Sequence, residues 1–233
     1  LPRDDMEFAC LQMLICLTQV IFMPEDEDAL CRCEAEPMSM GGYAKGIGPY
    51  SDMFDLFHPT HPFMQTRGIK GTPRTMQKLL IGLPETHSDS PMAWAFFNAR
   101  DEVTGVCPAC AAIAVFQQAT NGYGLGGAHF PVGLKGSMPM STLILGDGCR
   151  RTVWRNVMTR AFFREKTGFT ELPQRDQPTW IDPIAFDSAD QGTAKTETAR
   201  DISLLRGFFW QPARIELVVE VAEKVVCDLC HGL

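Results

Sequence analysis

Hydrophobic positions along the 233-residue chain fall into a few helical patterns separated by polar stretches rich in Pro and Gly. The first pattern covers about 5–22 and contains "FACLQMLICLTQVIF". Asp4 or Asp5 is placed to cap a helix there, and Pro24 with the acidic run beside it ends the helix. The apolar run is shorter than the roughly 20 residues of a membrane span and lacks the basic flank of a signal peptide. A buried amphipathic helix in a cytoplasmic protein, with no membrane partner, is therefore expected. Residues 34–52 read as a loop, 58–73 as irregular or short-stranded chain, and 75–80 as a brief helix before Gly82 and Pro84.

Further along, "PACAAIAVFQQAT" at 108–120 predicts a helix, with Pro108 near its start and Asn121-Gly122 closing it. A strand is expected at 141–145. A strong amphipathic helix follows at 149–168, its apolar stripe formed by Val153, Trp154, Val157, Met158, Ala161 and Phe162. Residues 171–200 are loop-like. The last segment starts helical or extended, breaks at Pro212, and continues as an alternating strand through Ile215, Leu217, Val219 and Val221. Helices and strands follow no regular alternation, which predicts an α+β fold: one large irregular mixed domain over 1–233, with several helices and short strands.

Composition adds little to this, since 45% hydrophobic and 21% charged residues are ordinary for globular chains. Charge distribution adds more. Residues 1–40 hold nine acids and two arginines, which equals the whole net charge of −7, so the other 193 residues balance. Within them, 65–78 ("QTRGIKGTPRTMQK") carries four cations and no acid, and 129–166 carries seven cations against Asp147 and Glu165. Local basic surfaces are compatible with the acidic total, although a solvated face is the default reading of any one charge run.

Cysteine spacing is more informative than the count of nine. Cys107/Cys110 and Cys227/Cys230 are two C-x-x-C pairs, and two such pairs complete a closed four-thiolate zinc site. Four unrelated buried cysteines remain the other reading. "CDLCH" also matches the haem c attachment pattern, which requires export. The five histidines are scattered and no serine sits in a nucleophile elbow, so no catalytic mechanism is proposed by the sequence.

Glycines crowd "GYGLGGAHF" at 122–130. A dinucleotide site needs a strand before such glycines and a helix after them; here a helix precedes, and Pro131 and Pro139 follow. A flexible loop and a backbone surface meant for close approach are the two readings left.

Several strings together resemble the CasA family, the large subunit of the type I-E CRISPR surveillance complex Cascade: "LPRDDMEFA", "HPFMQTRGIK", "CPACAAIAVFQQA", "GLGG", "QPTWIDPI" and "RGFFWQPARIEL". They run in order through nearly the whole chain, and the resemblance identifies it with most of that family's N-terminal domain, without the C-terminal helical bundle. It implies a non-catalytic DNA-recognition subunit that works with the other Cascade subunits, the guide RNA 5′ end, double-stranded target DNA and a helicase–nuclease. A glycine loop pressing into the minor groove at the protospacer-adjacent motif would be Gly124, Leu125, Gly126 and Gly127. A second element near the motif and the guide would be Phe96, Phe97 and Asn98, with Phe97 departing from the family's Val. Cys107, Cys110, Cys227 and Cys230 match cysteines that the family gathers around structural zinc. Other family elements that grip and open the duplex fall beyond Leu233, so weak DNA binding by this piece alone is expected. The alternatives from other classes are a zinc enzyme whose glycine loop lines a small-molecule pocket, and a pure assembly scaffold.

Overall fold

The computed structural model describes residues 3–70, 72–81, 103–122, 133–134, 141–168, 177–184, 197–198, 200–219 and 226–232. Regular structure among them is helical: α1 (Asp4–Phe22), α2 (Glu27–Ala35), α3 (Met40–Ile47), α4 (Pro108–Asn121), α5 (Cys149–Arg155), α6 (Arg160–Thr167) and α7 (Leu204–Phe208), with 3-10 turns at Gly48–Phe54 and Met76–Leu79. Two compact units are formed, one from Leu1–Cys10, Leu56–Met140 and Gln211–Leu233, the other from Leu11–Asp55 and Ser141–Trp210.

The first unit is built on α4. Pro108 sits in its first turn, where a missing N–H costs nothing, and alanines let neighbours approach closely. Ala114, Val115, Phe116 and Gln117 are fully buried, so α4 is enclosed rather than amphipathic. Gln117 keeps its place in that interior by donating from Nε2 to Asp5 Oδ2 at 3.0 Å. Gly122 ends the helix as expected. Phe63, Met64 and Leu80 add to the same core.

In the second unit, Phe54, Trp180 and Phe209 form an edge-to-face cluster. Beside it, Arg206 is fully buried. Its guanidinium makes a two-pronged pair with Glu197 (2.6 and 2.8 Å) and donates to the carbonyls of Gln177 (2.9 Å) and Asp182 (2.8 Å). Those bonds stitch α7 to the 177–184 segment. The buried polar side of α1 is satisfied here too: Gln19 accepts from Met158 N (2.6 Å) and donates to Met158 O (3.0 Å). This helix is long and apolar enough to cross a membrane by length and composition, which is weak evidence for a span, and Gln12, Thr18 and Gln19 are among its buried residues.

Several expectations are corrected. Residues 34–52 are not one loop: α3 forms there, with Ser39 capping it through its hydroxyl. The helix expected over 149–168 is two helices. Asn156 ends α5, Gln19 occupies both backbone groups of Met158, and Thr159 caps α6 by accepting from Phe162 N. The stripe is buried only at Val153, Trp154 and Val157, while Phe162 is 45% exposed. Neither expected strand pairs among the described residues. At 141–145 the side chain of Asn156 takes the partner's place, donating to Ile144 O (2.9 Å) and accepting from Ile144 N (3.0 Å). At 215–217, Leu217 N donates to Gln65 Oε1 (2.8 Å) beside a single backbone bond from Thr66 N to Ile215 O. The α+β expectation is thus met only in its helical part among the described residues.

Candidate metal centre and glycine-loop neck

Both C-x-x-C pairs occupy turns that present sulfur to one point. Cys107 is the residue before α4 and Cys110 lies in its first turn. Cys227 and Cys230 flank a turn closed by His231 N to Cys227 O and Cys227 N to Gly232 O, each 2.9 Å, with His231 at φ 57°. The four Sγ atoms lie within 4.8 Å of one another, and Cys107 Sγ is 3.7 Å from Cys230 Sγ. Corners of a zinc–thiolate tetrahedron lie about 3.8 Å apart, given Zn–S bonds of about 2.3 Å. The donor set and its spacing therefore fit one zinc ion.

Electrostatics agree with that use. Burial pushes the Cys110 thiol up, and thiol hydrogen bonds with Cys107, Cys227 and Cys230 push it further. Burial works against Cys227 as well, but backbone hydrogen bonds from Cys107, Cys230 and Leu229 prevail and lower its thiol to about 6. Without metal Cys110 holds its proton more firmly than Cys227, and a divalent cation would displace the protons that remain. Four thiolates would leave no open coordination position for water or substrate, which marks a structural site. Two cysteines that face another pair are also poorly disposed for haem attachment.

Sequence reasoning missed Asp228, which holds the two turns together by non-metal bonds. Its Oδ2 accepts from Thr104 N (2.7 Å), Gly105 N (2.8 Å) and Thr104 Oγ1 (3.1 Å), and its own N–H donates to Gly105 O (3.0 Å). Those N–H groups, Gly105's first and Thr104's next, hold its carboxyl below the usual range. The signal was an Asp between two cysteines, which spacing arguments treat as filler.

Gly124, Leu125, Gly126, Gly127, Phe96, Phe97 and Asn98 lie outside the described residues. The neck of the glycine segment is described. Gly133 N donates to Gly122 O (2.7 Å) and Leu134 N donates to Ala119 O (2.8 Å), so the chain leaves α4 and returns to its last carbonyls. A Cβ on Gly122 would overlap the Gln118 carbonyl, and one on Gly133 would lie 2.8 Å from Gly122 N and 2.9 Å from Thr120 O. Both positions exclude side chains for backbone reasons.

Residues 1–231 match the family model for CRISPR-associated protein Cse1. A crystal structure of Thermobifida fusca Cse1 superposes with a TM-score of 0.55 at 22% identity, covering 93% of this chain. The chain spans 42% of that protein's length. At such identity the superposition shows a shared fold, while the family match runs almost from end to end. The chain belongs to the Cse1 family of CRISPR-associated proteins.

Proposed function

We propose that this chain is the N-terminal domain, over 1–233, of a non-catalytic DNA-recognition subunit in a cytoplasmic, RNA-guided Cascade complex of type I-E. It inspects the protospacer-adjacent motif on duplex DNA, helps to start unwinding, and recruits the helicase–nuclease that cuts. Gly124, Leu125, Gly126 and Gly127 enter the minor groove as bare backbone. Phe96, Phe97 and Asn98 lie near the motif and the guide RNA 5′ end. The minor groove offers a degenerate pattern, so a backbone reader tolerates several motif sequences. Base pairing with the guide then reads the target.

The observation that carries this reading is the neck. Gly122 and Gly133 are bonded to each other at the end of a buried helix, which makes a firm base. Such a base suits a contact that relies on backbone position. Zinc held by Cys107, Cys110, Cys227 and Cys230 stiffens the opposite end of α4. A zinc enzyme with a glycine-lined pocket is disfavoured because four thiolates close the metal to substrate.

The test is motif-dependent duplex binding by the complete subunit in its complex, wild type against Gly127→Asp, at one fixed salt concentration. Loss of at least about tenfold on motif-bearing DNA, with discrimination against other DNA abolished, is expected. Equal binding and discrimination by both proteins would leave the glycines as a turn.

A further inference from the structure

Each C-x-x-C pair holds one buried cysteine and one that reaches solvent. Cys110 and Cys227 are 2% and 1% exposed, while Cys107 and Cys230 are half-buried. The two solvent-reaching sulfurs belong to different turns and face each other, Cys107 Sγ lying 3.7 Å from Cys230 Sγ. Gly232 leaves the second of them uncovered, since a Cβ there would stand 3.4 Å from Cys230 Sγ. The turns do not rely on an ion to stay opposite one another. Asp228 binds Thr104 and Gly105, just ahead of Cys107, through its carboxylate and its own N–H.

A sulfur–sulfur bond is about 2.05 Å long, so this pair lies about 1.7 Å short of one. Sulfurs that hold a metal are thiolates, and the thiolate is the nucleophile toward peroxides. Burial screens Cys110 and Cys227 from an aqueous oxidant, which therefore meets Cys107 and Cys230 first. Whichever of these two is oxidised, a resolving sulfur already stands beside it in the facing turn.

We propose that Cys107 and Cys230 are a redox-sensitive pair, which hydrogen peroxide joins as a disulfide in exchange for the metal. One Sγ attacks a peroxide oxygen: an S–O bond forms, the O–O bond breaks, and hydroxide leaves. The facing Sγ then attacks that sulfur: the S–S bond forms, the S–O bond breaks, and a second hydroxide leaves. Two electrons pass from the sulfurs to the peroxide, and two solvent protons turn the hydroxides into water. A disulfide carries no thiolate, so two of the four donors are lost and the site lets its metal go. The new bond still ties the start of α4 to the 227–230 turn, and a dithiol reductant restores the thiolates. The inference rests on the zinc reading of the four cysteines and adds a second state to it.

The experiment treats the complete subunit, its zinc content measured beforehand, with a slight excess of hydrogen peroxide. It is run on the wild type and on Cys31→Ser/Cys149→Ser, which removes the two exposed thiols elsewhere in the chain. Released zinc is read with a chromophoric chelator, and remaining thiols are alkylated before peptide mapping by mass spectrometry. Loss of the bound zinc is expected, in step with a crosslink between the Cys107 and Cys230 peptides. Cys110 and Cys227 should stay alkylatable, and dithiothreitol with added zinc should reverse both changes. Cys107→Ser should abolish the crosslink; mapping of the wild type decides the matter if that variant misfolds. The same crosslink in a chain that held no zinc would end the zinc reading and leave the redox pair standing. Crosslinks within Cys107–Cys110 or Cys227–Cys230, sulfinic acid at these positions without a crosslink, or four thiols left unmodified overturn the proposal. No step involves DNA, so the outcome is separate from the Gly127→Asp result.

Discussion

Two basic segments, similar in the sequence, are anchored by different parts of the chain. Between Arg150 and Lys166 the cations are consumed internally. Arg150 caps the C-terminal carbonyls of α2 (2.9 and 2.7 Å), Arg155 pairs with Glu34 (2.8 Å), and Glu25 holds both Arg160 (3.0 Å) and Arg164 (2.9 Å). Two of the nine acids that set the net charge, Glu25 and Glu34, therefore serve as counter-charges of this segment. Between Arg67 and Lys78 the anchoring falls at the start of the segment, where Arg67 donates to the His58 carbonyl (3.1 Å) and pairs with Glu216 at 3.8 Å.

The extreme of an answered cation is Arg206, and removing it should have the largest effect. Arg206→Met leaves Glu197, whose side chain is 5% exposed, without its two-pronged partner. A loss of about 3–5 kcal/mol in denaturant unfolding is expected. A loss under about 1 kcal/mol would mean that enclosure adds nothing to the pairing.

Asp228 sharpens the contrast from the other side, as an anion answered by N–H groups. Asp228→Ala should cost about 1 kcal/mol, allowing for partial exposure, and should weaken zinc retention against a chromophoric chelator. Because the folded carboxyl titrates below its unfolded value of about 3.9, its contribution is complete above that pH. It fades as pH falls through the lowered value. Wild type and variant should converge in stability there, and a gap persisting in stronger acid would assign the effect to packing.

The smallest effect would break the comparison. Glu25→Gln/Glu34→Gln removes the counter-charges of Arg155, Arg160 and Arg164. Stability should change by less than about 1 kcal/mol, since exposed pairs contribute little. Affinity for random duplex should rise about threefold as released guanidiniums become available to phosphate. Unchanged affinity would show that released charge alone does not create a phosphate contact.

Legibility followed the range of the interaction. Helices α1 and α4 were readable because apolar runs, Pro108 and Gly122 act over one or two turns. The four cysteines were readable because metal chemistry restricts their spacing. The expected strands do not pair among the described residues, because apolar patterning at 141–145 and from Ile215 onward reports only which faces could be buried. Whether a backbone partner arrives is a separate question, and Asn156 and Gln65 filled that place with side-chain amides. The break after Asn156 was hidden because it depends on Gln19, distant in the chain. Asp228 and Gly133 were illegible for the same reason: each has a role only once another segment lies against it.

The cysteine cluster bridges Cys110 to Cys227, so the chain between them, including the glycine segment, is a closed ring once zinc is held. Closing a ring of this size removes about 4.7 kcal/mol of denatured-state entropy in the chain-entropy model. A single protease cut between the two pairs would therefore sever the polypeptide without parting it. Nicked protein would travel as one body under native conditions, and a chelator that takes the ion would leave only packing and hydrogen bonds to hold its two pieces.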